Sequence, residues 1–389
     1  MRSRSSFDSW PALHRRSQGG HMRRWWFLTT VALVAVSALA WRGWTADAQT
    51  PVQVETVVGD LQIPWEAEFA PDGRIFLTER PGRIRIIRDG RVDPQPWAEI
   101  QVAPVGEGGL LGLALAPDFP QTRFVYVYHT YQDGGGLWNR VVRLVDRNGR
   151  GQTDRVIIDR IPGAVVHDGG RIKFGPDGKL YVTTGDAREP PRAQDRSSLN
   201  GKVLRLNPDG TIPNDNPFPG SPVFSLGHRN PQGLAWHPQT RTMYEAEHGP
   251  SGDLGLCCRD EINVIEAGRN YGWPEASGKG GAPRFVDPIA DSGANETWAP
   301  SGILVPSRGP WRDSLLVAAL RGSQLRRLIL VGPEFARVAS QEVYFQGELG
   351  RLRDIFQGPD GTLYLLTNNT DGRGSPRVND DRLLKIVFR

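Results

Sequence analysis

A histidine framed by glycines, a set of arginines beside turn residues and two acid-rich stretches carry the chemistry that this sequence offers. His167 stands in Val166-His-Asp-Gly-Gly-Arg171, and Thr184-Gly-Asp186 follows shortly after. Histidine titrates near neutrality, so on a glycine-flanked loop His167 could act as a general base whose ring Asp186 holds. A structural loop histidine is the plainer reading of the same residues. In Leu226-Gly-His-Arg229-Asn230-Pro-Gln-Gly233 the planar guanidinium of Arg229 offers a fork for an anion, or satisfies local carbonyls in a turn. The stretches Glu247-His-Gly249-Pro250, Asp260-Glu261-Ile-Asn263 and Asn270-Tyr271-Gly-Trp-Pro274 combine carboxylates with carbonyls freed by Gly and Pro turns. Such hard oxygens suit Ca²⁺, although no EF-hand spacing is present and a solvated acidic loop would look the same. Arg321, Arg351 and Arg353 add basic side chains at further loop positions, able either to converge on a multiply anionic small molecule or to form a solvated edge.

These loops need a scaffold, and the sequence repeats one. An apolar stretch recurs beside a Pro-Asp-Gly-like turn: Phe69-Ala-Pro-Asp-Gly, Leu115-Ala-Pro-Asp, Phe174-Gly-Pro-Asp-Gly, Trp236-His-Pro-Gln, Trp311-Arg-Asp-Ser and Gln357-Gly-Pro-Asp-Gly. In the clear copies Pro presets φ, Asp bonds back to the backbone and Gly supplies a positive φ, which makes a hairpin. Six copies at about 57 residues each predict an all-β, six-bladed β-propeller of four-stranded antiparallel blades. A β-sandwich pair or a β-helix is the alternative left open by their unequal spacing. Function in a propeller belongs to the loops at one end of the central channel.

The chain has 389 residues, 38% of them hydrophobic, enough to bury a large core. Met22-Arg-Arg-Trp-Trp followed by the apolar run Phe27–Trp41 and by Ala46-Asp-Ala48 reads as an export signal, with the true start at Met22 and cleavage after Ala48. An uncleaved anchor is the other reading of that run. Residues 1–48 are therefore a leader and extension, and 49–389 the propeller. Without the leader's seven Arg and two Asp, the net charge of +4 becomes −1, and no basic stripe for nucleic acid remains. The two cysteines, Cys257 and Cys258, are adjacent, so they cannot staple distant segments and either pair with each other or stay free.

Taken together, Gly106-Glu-Gly-Gly-Leu-Leu-Gly112, His167-Asp-Gly-Gly-Arg171, Gly201-Lys-Val-Leu-Arg-Leu206, Gly227-His-Arg-Asn-Pro-Gln-Gly233, Asp260-Glu-Ile-Asn263 and Asn270-Tyr-Gly-Trp-Pro274 resemble the glucose/sorbosone dehydrogenase family, from about residue 56 to the C-terminus. The resemblance implies oxidation of an aldose to its lactone with pyrroloquinoline quinone (PQQ) at the channel mouth. His167 would be the base and Asp186 its orienting partner. Glu107, Arg229, Asn230, Arg321, Arg351 and Arg353 would contact the cofactor. One Ca²⁺ would sit on the Gly249 and Pro250 carbonyls, and a second on the Glu261 side chain and the Tyr271 carbonyl. The export signal implies a periplasmic or secreted protein without stable membrane association once it is cleaved; a monomer is expected because no long insertion supplies a dimer interface, and the electron acceptor, a quinone or a cytochrome, is left open.

Departures from the family pattern qualify this. Glu107 replaces a common Gln, and its charge should weaken binding of an anionic cofactor unless an arginine or calcium offsets it. Arg321 replaces a Lys. The insertion Asp253-Leu-Gly-Leu-Cys-Cys258 adjoins the expected calcium carbonyls, and a short loop before Trp298 should leave an open pocket. A calcium-dependent lactone hydrolase and a non-catalytic binding propeller are the alternatives; the clustered arginines argue against the first, and the joint presence of His167, Arg229 and Asn230 against the second.

Overall fold

The computed structural model describes residues 52–252 and 255–389. The expected leader, residues 1–48, lies outside them. Among the described residues no helix is long and apolar enough to cross a membrane.

Six antiparallel sheets follow one another along the chain, and their inner strands form a closed ring. These inner strands are Pro64–Phe69, Leu110–Leu115, Ile172–Phe174, Pro231–Trp236, Pro300–Leu304 and Leu352–Gln357, opening blades one to six. The fold is thus the expected six-bladed propeller, with a fifth short strand, Ala98–Glu99, added to blade one. Among the described residues the helical elements are Phe119–Thr122 and the 3₁₀ turn Pro190–Ala193.

The sequence repeat marks the hairpin between the first and second strands of each blade. Asp72, Asp177 and Asp360 accept from the backbone N–H two residues on at 3.2, 3.1 and 3.0 Å. Gly73, Gly178 and Gly361 follow with φ of 86°, 72° and 93°. Because successive strands reverse, all these turns lie at one end of the propeller. The loops joining second to third strands, and one blade to the next, therefore gather at the other end.

Strands stacked between two blades lose water on both faces, so Leu110–Leu115 is buried throughout. Aromatic side chains fill the wedges between blades. Phe76 meets Trp97 and Phe119 edge-on at 5.1 and 5.7 Å, and Trp311 packs on Tyr344 and Phe388 at 4.7 and 4.9 Å. Each such ring contributes about 1.5–3 kcal/mol by burial.

Ring closure uses the chain's beginning: Val52–Val58 pairs with Leu383–Phe388, from Val52 opposite Phe388 to Thr56 opposite Leu384, and supplies the outer strand of blade six. On the axis, fully buried Arg171 pairs with Glu66 at 2.9 Å and Asp354 at 3.2 Å and lies 4.2 Å above the Trp65 ring. Glu66 also accepts from the Leu113 backbone at 2.8 Å. One ionic group thereby fixes the inner strands of four blades relative to each other, and its members are costly to remove singly because a buried partner is left uncompensated.

Candidate active site

At the loop end of the channel lies a cavity of about 810 Å³, within the range of small-molecule sites. Trp65 and Leu111 are part of its lining, together with Glu107, His167, Asp186, Arg229, His248, Trp273, Arg321, Arg351 and Arg353 from the motifs singled out above, whereas residues 201–206, Asn230, Gly249, Pro250, Glu261 and Tyr271 are not among the lining residues.

His167 sits on the connection between blades two and three, and Asp186 on the loop after the second strand of blade three. Their contact is direct: His167 Nδ1 lies 2.8 Å from Asp186 Oδ1. Asp186 is fully buried and has both oxygens engaged, since Oδ1 also accepts from the Arg188 backbone and Oδ2 from Trp273 Nε1, each at 2.8 Å. Facing a carboxylate, Nδ1 carries the hydrogen, which leaves the lone pair on Nε2. The loop backbone is tightly specified: His167, Ala187 and Arg188 take left-handed φ of 65°, 51° and 63°. A Cβ on Gly185 would come within 2.0 Å of the His167 carbonyl. Non-glycine residues persist in this region where their surroundings over-determine them, as they do around functional groups.

Arginines dominate the walls. Arg353 is buried and bonds only neutral partners, Gln232 at 2.8 Å, Ser301 at 3.3 Å and Asn368 at 2.9 Å. Burial, with Arg351 and Arg80 close by, pushes its pKa down to about 9 despite Asp371, so it stays charged at neutral pH. Arg351 forks onto Asp371 at 3.1 and 2.9 Å, and Arg321 stands exposed at the rim. Arg229 donates to the His248 carbonyl at 2.9 Å and lies 5.4 Å over the Trp273 ring. Asn230 is fully buried behind it, accepting from the Gly169 backbone at 3.1 Å.

Glu107 has an arginine of its own. Its Oε1 meets Arg373 at 2.6 Å, and its Oε2 accepts from the His167 backbone at 3.1 Å. Burial opposes its charge, but the neighbouring His248 and Arg373 overcome it and hold the pKa at about 2. Since His248 is itself kept neutral, with a pKa of about 3 from desolvation, Arg373 is the charge that matters at neutral pH. The repulsion expected from Glu107 is thus offset.

Arg373 was missed in the sequence, as were Arg80 and Arg188, which also line the cavity. A signal exists: all three, like Arg321, lie on the loop after the second strand of a blade.

The oxygen-rich motifs form two groups. Gly249 and Pro250 are buried, Gly249 N–H donates to Asp260 at 2.9 Å, and neither carbonyl accepts a hydrogen bond among the described residues. Two free carbonyls beside a carboxylate-held turn fit a hard cation. Next to them Cys257 and Cys258 are joined by a disulfide, and Ser251 pairs with Cys257 in an isolated antiparallel bridge. The second group lies deeper in blade four. Glu245, Glu247 and Glu261 are all buried, and desolvation raises the pKa of each. His228 Nδ1 is 3.9 Å from Glu245 and 3.5 Å from Glu247, its ring stacked on Tyr271 at 4.8 Å. The Tyr271 carbonyl accepts no hydrogen bond among the described residues. Three carboxylates packed away from water suit a divalent ion that would keep them ionised.

Residues 61–384 match the sequence profile described as Glucose / Sorbosone dehydrogenase. The chain is 32% identical to the aldose sugar dehydrogenase YliI of Escherichia coli K12, covering 89% of this chain and 98% of that one. It superposes on the PQQ-bound aldose sugar dehydrogenase of Streptomyces coelicolor with a TM-score of 0.79 at 39% identity, covering 88% and 99%. A Thermus thermophilus protein assigned as a glucose dehydrogenase gives 0.81 at 48% identity, covering 87% and 100%.

Proposed function

This chain belongs to the glucose/sorbosone dehydrogenase family, and we propose from that membership and the cavity's chemistry that it oxidises aldoses to lactones with PQQ and Ca²⁺. The observation that carries the proposal is the His167–Asp186 pair facing a cavity walled by arginines, where a tricarboxylic quinone finds cationic partners. Arg229, Asn230, Arg321, Arg351 and Arg353 would hold that cofactor, with the Glu107–Arg373 pair beside it. When bound, the quinone supplies the two-electron acceptor for the hydride that leaves C1.

The chain's own part is proton handling and positioning. His167 Nε2 takes the C1 hydroxyl proton as C1 loses its hydride, and the aldose becomes its lactone. Asp186 fixes the ring tautomer and stabilises the imidazolium that forms, a contribution of roughly 10²–10⁴-fold for positioned proton transfer. The Gly249 and Pro250 carbonyls would hold a calcium, which acts as a Lewis acid at such a site, while Glu261 and the Tyr271 carbonyl would hold a structural one. Export through the N-terminal leader, a monomeric state and a quinone or cytochrome as final acceptor complete the reading.

The test is dye reduction by the purified protein from residue 49 with PQQ, Ca²⁺ and a panel of aldoses. Sugar-dependent reduction requiring both additions supports the reading. No reduction, together with no calorimetric binding of PQQ, would return the chain to the class of binding propellers.

A further inference from the structure

Arg188 has no role in the scheme above, yet it stands beside the proposed base. It lines the same cavity as His167 and is exposed at its rim. Its backbone N–H is held at 2.8 Å by Asp186 Oδ1, the oxygen that also holds His167 Nδ1. Its left-handed φ of 63° belongs to the same over-determined loop. The Cα of Arg188 is therefore fixed relative to the base, while its guanidinium makes no hydrogen bond or ion pair among the described residues.

Asp186 makes no ion pair with it among the described residues. Both oxygens of that acid are engaged, by His167 and the Arg188 backbone on one side and by Trp273 on the other. Glu107 is paired with Arg373, and Asp371 with Arg351. A guanidinium stays ionised throughout the working pH range and presents a planar fork that matches a carboxylate. A sugar placed with its C1 hydroxyl on His167 extends its other carbons toward the rim. There an anionic substituent would meet a charge with no ion-pair partner among the described residues and could form charge-assisted hydrogen bonds with its fork.

We propose that Arg188 is a specificity-determining residue that selects aldoses carrying a carboxylate away from C1, the uronic acids, over neutral sugars. The inference rests on the dehydrogenase reading for its chemistry: the C1–H leaves as hydride to the quinone, the C1 hydroxyl proton goes to His167, and the cyclic uronic acid becomes the 1,5-lactone of the corresponding aldaric acid. The distal carboxylate takes no part in bond making and acts only through Arg188.

Two measurements separate this inference from the reading beneath it. In the PQQ- and Ca²⁺-loaded enzyme, kcat/KM for glucuronate should exceed that for glucose, and Arg188→Gln should lower the glucuronate-to-glucose ratio about tenfold or more, mainly through KM. Independently of turnover, calorimetry should show methyl glucuronide, whose blocked C1 cannot react, binding the wild type more tightly than methyl glucoside, with the difference lost in Arg188→Gln. Oxidation of glucose with an unchanged ratio in the variant would overturn the role of Arg188 and leave the dehydrogenase standing. Arg188-dependent binding of methyl glucuronide with no oxidation of any aldose would keep the anion site and remove the dehydrogenase.

Discussion

Trp273 Nε1 donates to Asp186 Oδ2 at 2.8 Å, joining a blade-four loop to the acid that holds the base on blade three. The contact fixes the carboxylate's rotation, so that its other oxygen faces His167. Trp273→Phe keeps an aromatic surface under Arg229 but removes this donor. We expect kcat to fall about tenfold with little change in KM, and the acidic limb of the pH–rate profile to move, because a hydrogen bond to a charged group contributes about 1.5–3 kcal/mol. Steady-state kinetics across pH check this, and an unmoved profile would reduce Trp273 to a packing role.

Replacing His167 by Ala should lower kcat by about 10²–10⁴-fold. Binding of PQQ and Ca²⁺, followed by calorimetry, should stay within a few-fold of the wild type, since the arginines and carbonyls assigned to them are untouched. A variant that still turns over at the wild-type rate would require a different base.

The pair of Glu107 and Arg373 should report on both pH and cofactor affinity. Because the folded pKa of Glu107 is lowered to about 2, its stabilising contribution is complete above the unfolded value of about 4.3 and disappears as pH falls through 2. Thermal unfolding of wild type and Glu107→Gln should therefore differ most above pH 5 and converge near pH 2. The same variant frees Arg373 for an anion and should tighten PQQ binding several-fold.

The buried acids of blade four predict a metal effect on stability. Calcium at about 100 times its Kd adds about 2.7 kcal/mol, which for a domain of this size raises Tm by about 4 °C. Chelation should reverse the gain, and Glu261→Gln should shrink it. Equal unfolding temperatures with calcium and with chelator would argue against an ion there.

Lys202 is fully buried with Nζ on three carbonyls, Arg192 at 2.8 Å, Ala193 at 3.1 Å and Asn200 at 2.6 Å. The segment it holds carries Gln194, which bonds the Trp273 carbonyl at 2.6 Å. Lys202→Met should cost about 1–3 kcal/mol, because the Asn200 carbonyl loses its donor while the Ala193 and Arg192 carbonyls keep the Gly227 and Asp195 backbone N–H groups. Denaturant unfolding measures the loss, and the variant's kcat should fall along with it as Trp273 loosens.

Much of this molecule was legible before folding. The Pro-Asp-Gly copies specify hairpins through local backbone chemistry, and six such hairpins at propeller spacing are enough to place the blades, because turn geometry depends on neighbours in sequence. The His167 and Arg229 motifs stood out for the same reason, being short, polar and framed by glycine. Trp273 was visible only as part of a motif, since nothing local says that an indole donor will meet an acid 87 residues earlier.

What the tertiary structure alone decided are the relationships across blades. Glu107 lies 266 residues from Arg373 in the chain, so whether its charge is repelled or paired depends on ring closure, which brings the blade-two and blade-six loops to the same mouth. The meeting of Glu66, Arg171 and Asp354 on the axis and the pairing of Val52–Val58 with Leu383–Phe388 have the same origin. Strand and turn preferences act over a few residues, whereas charge compensation and desolvation depend on distance in space, and only the closed ring sets those distances.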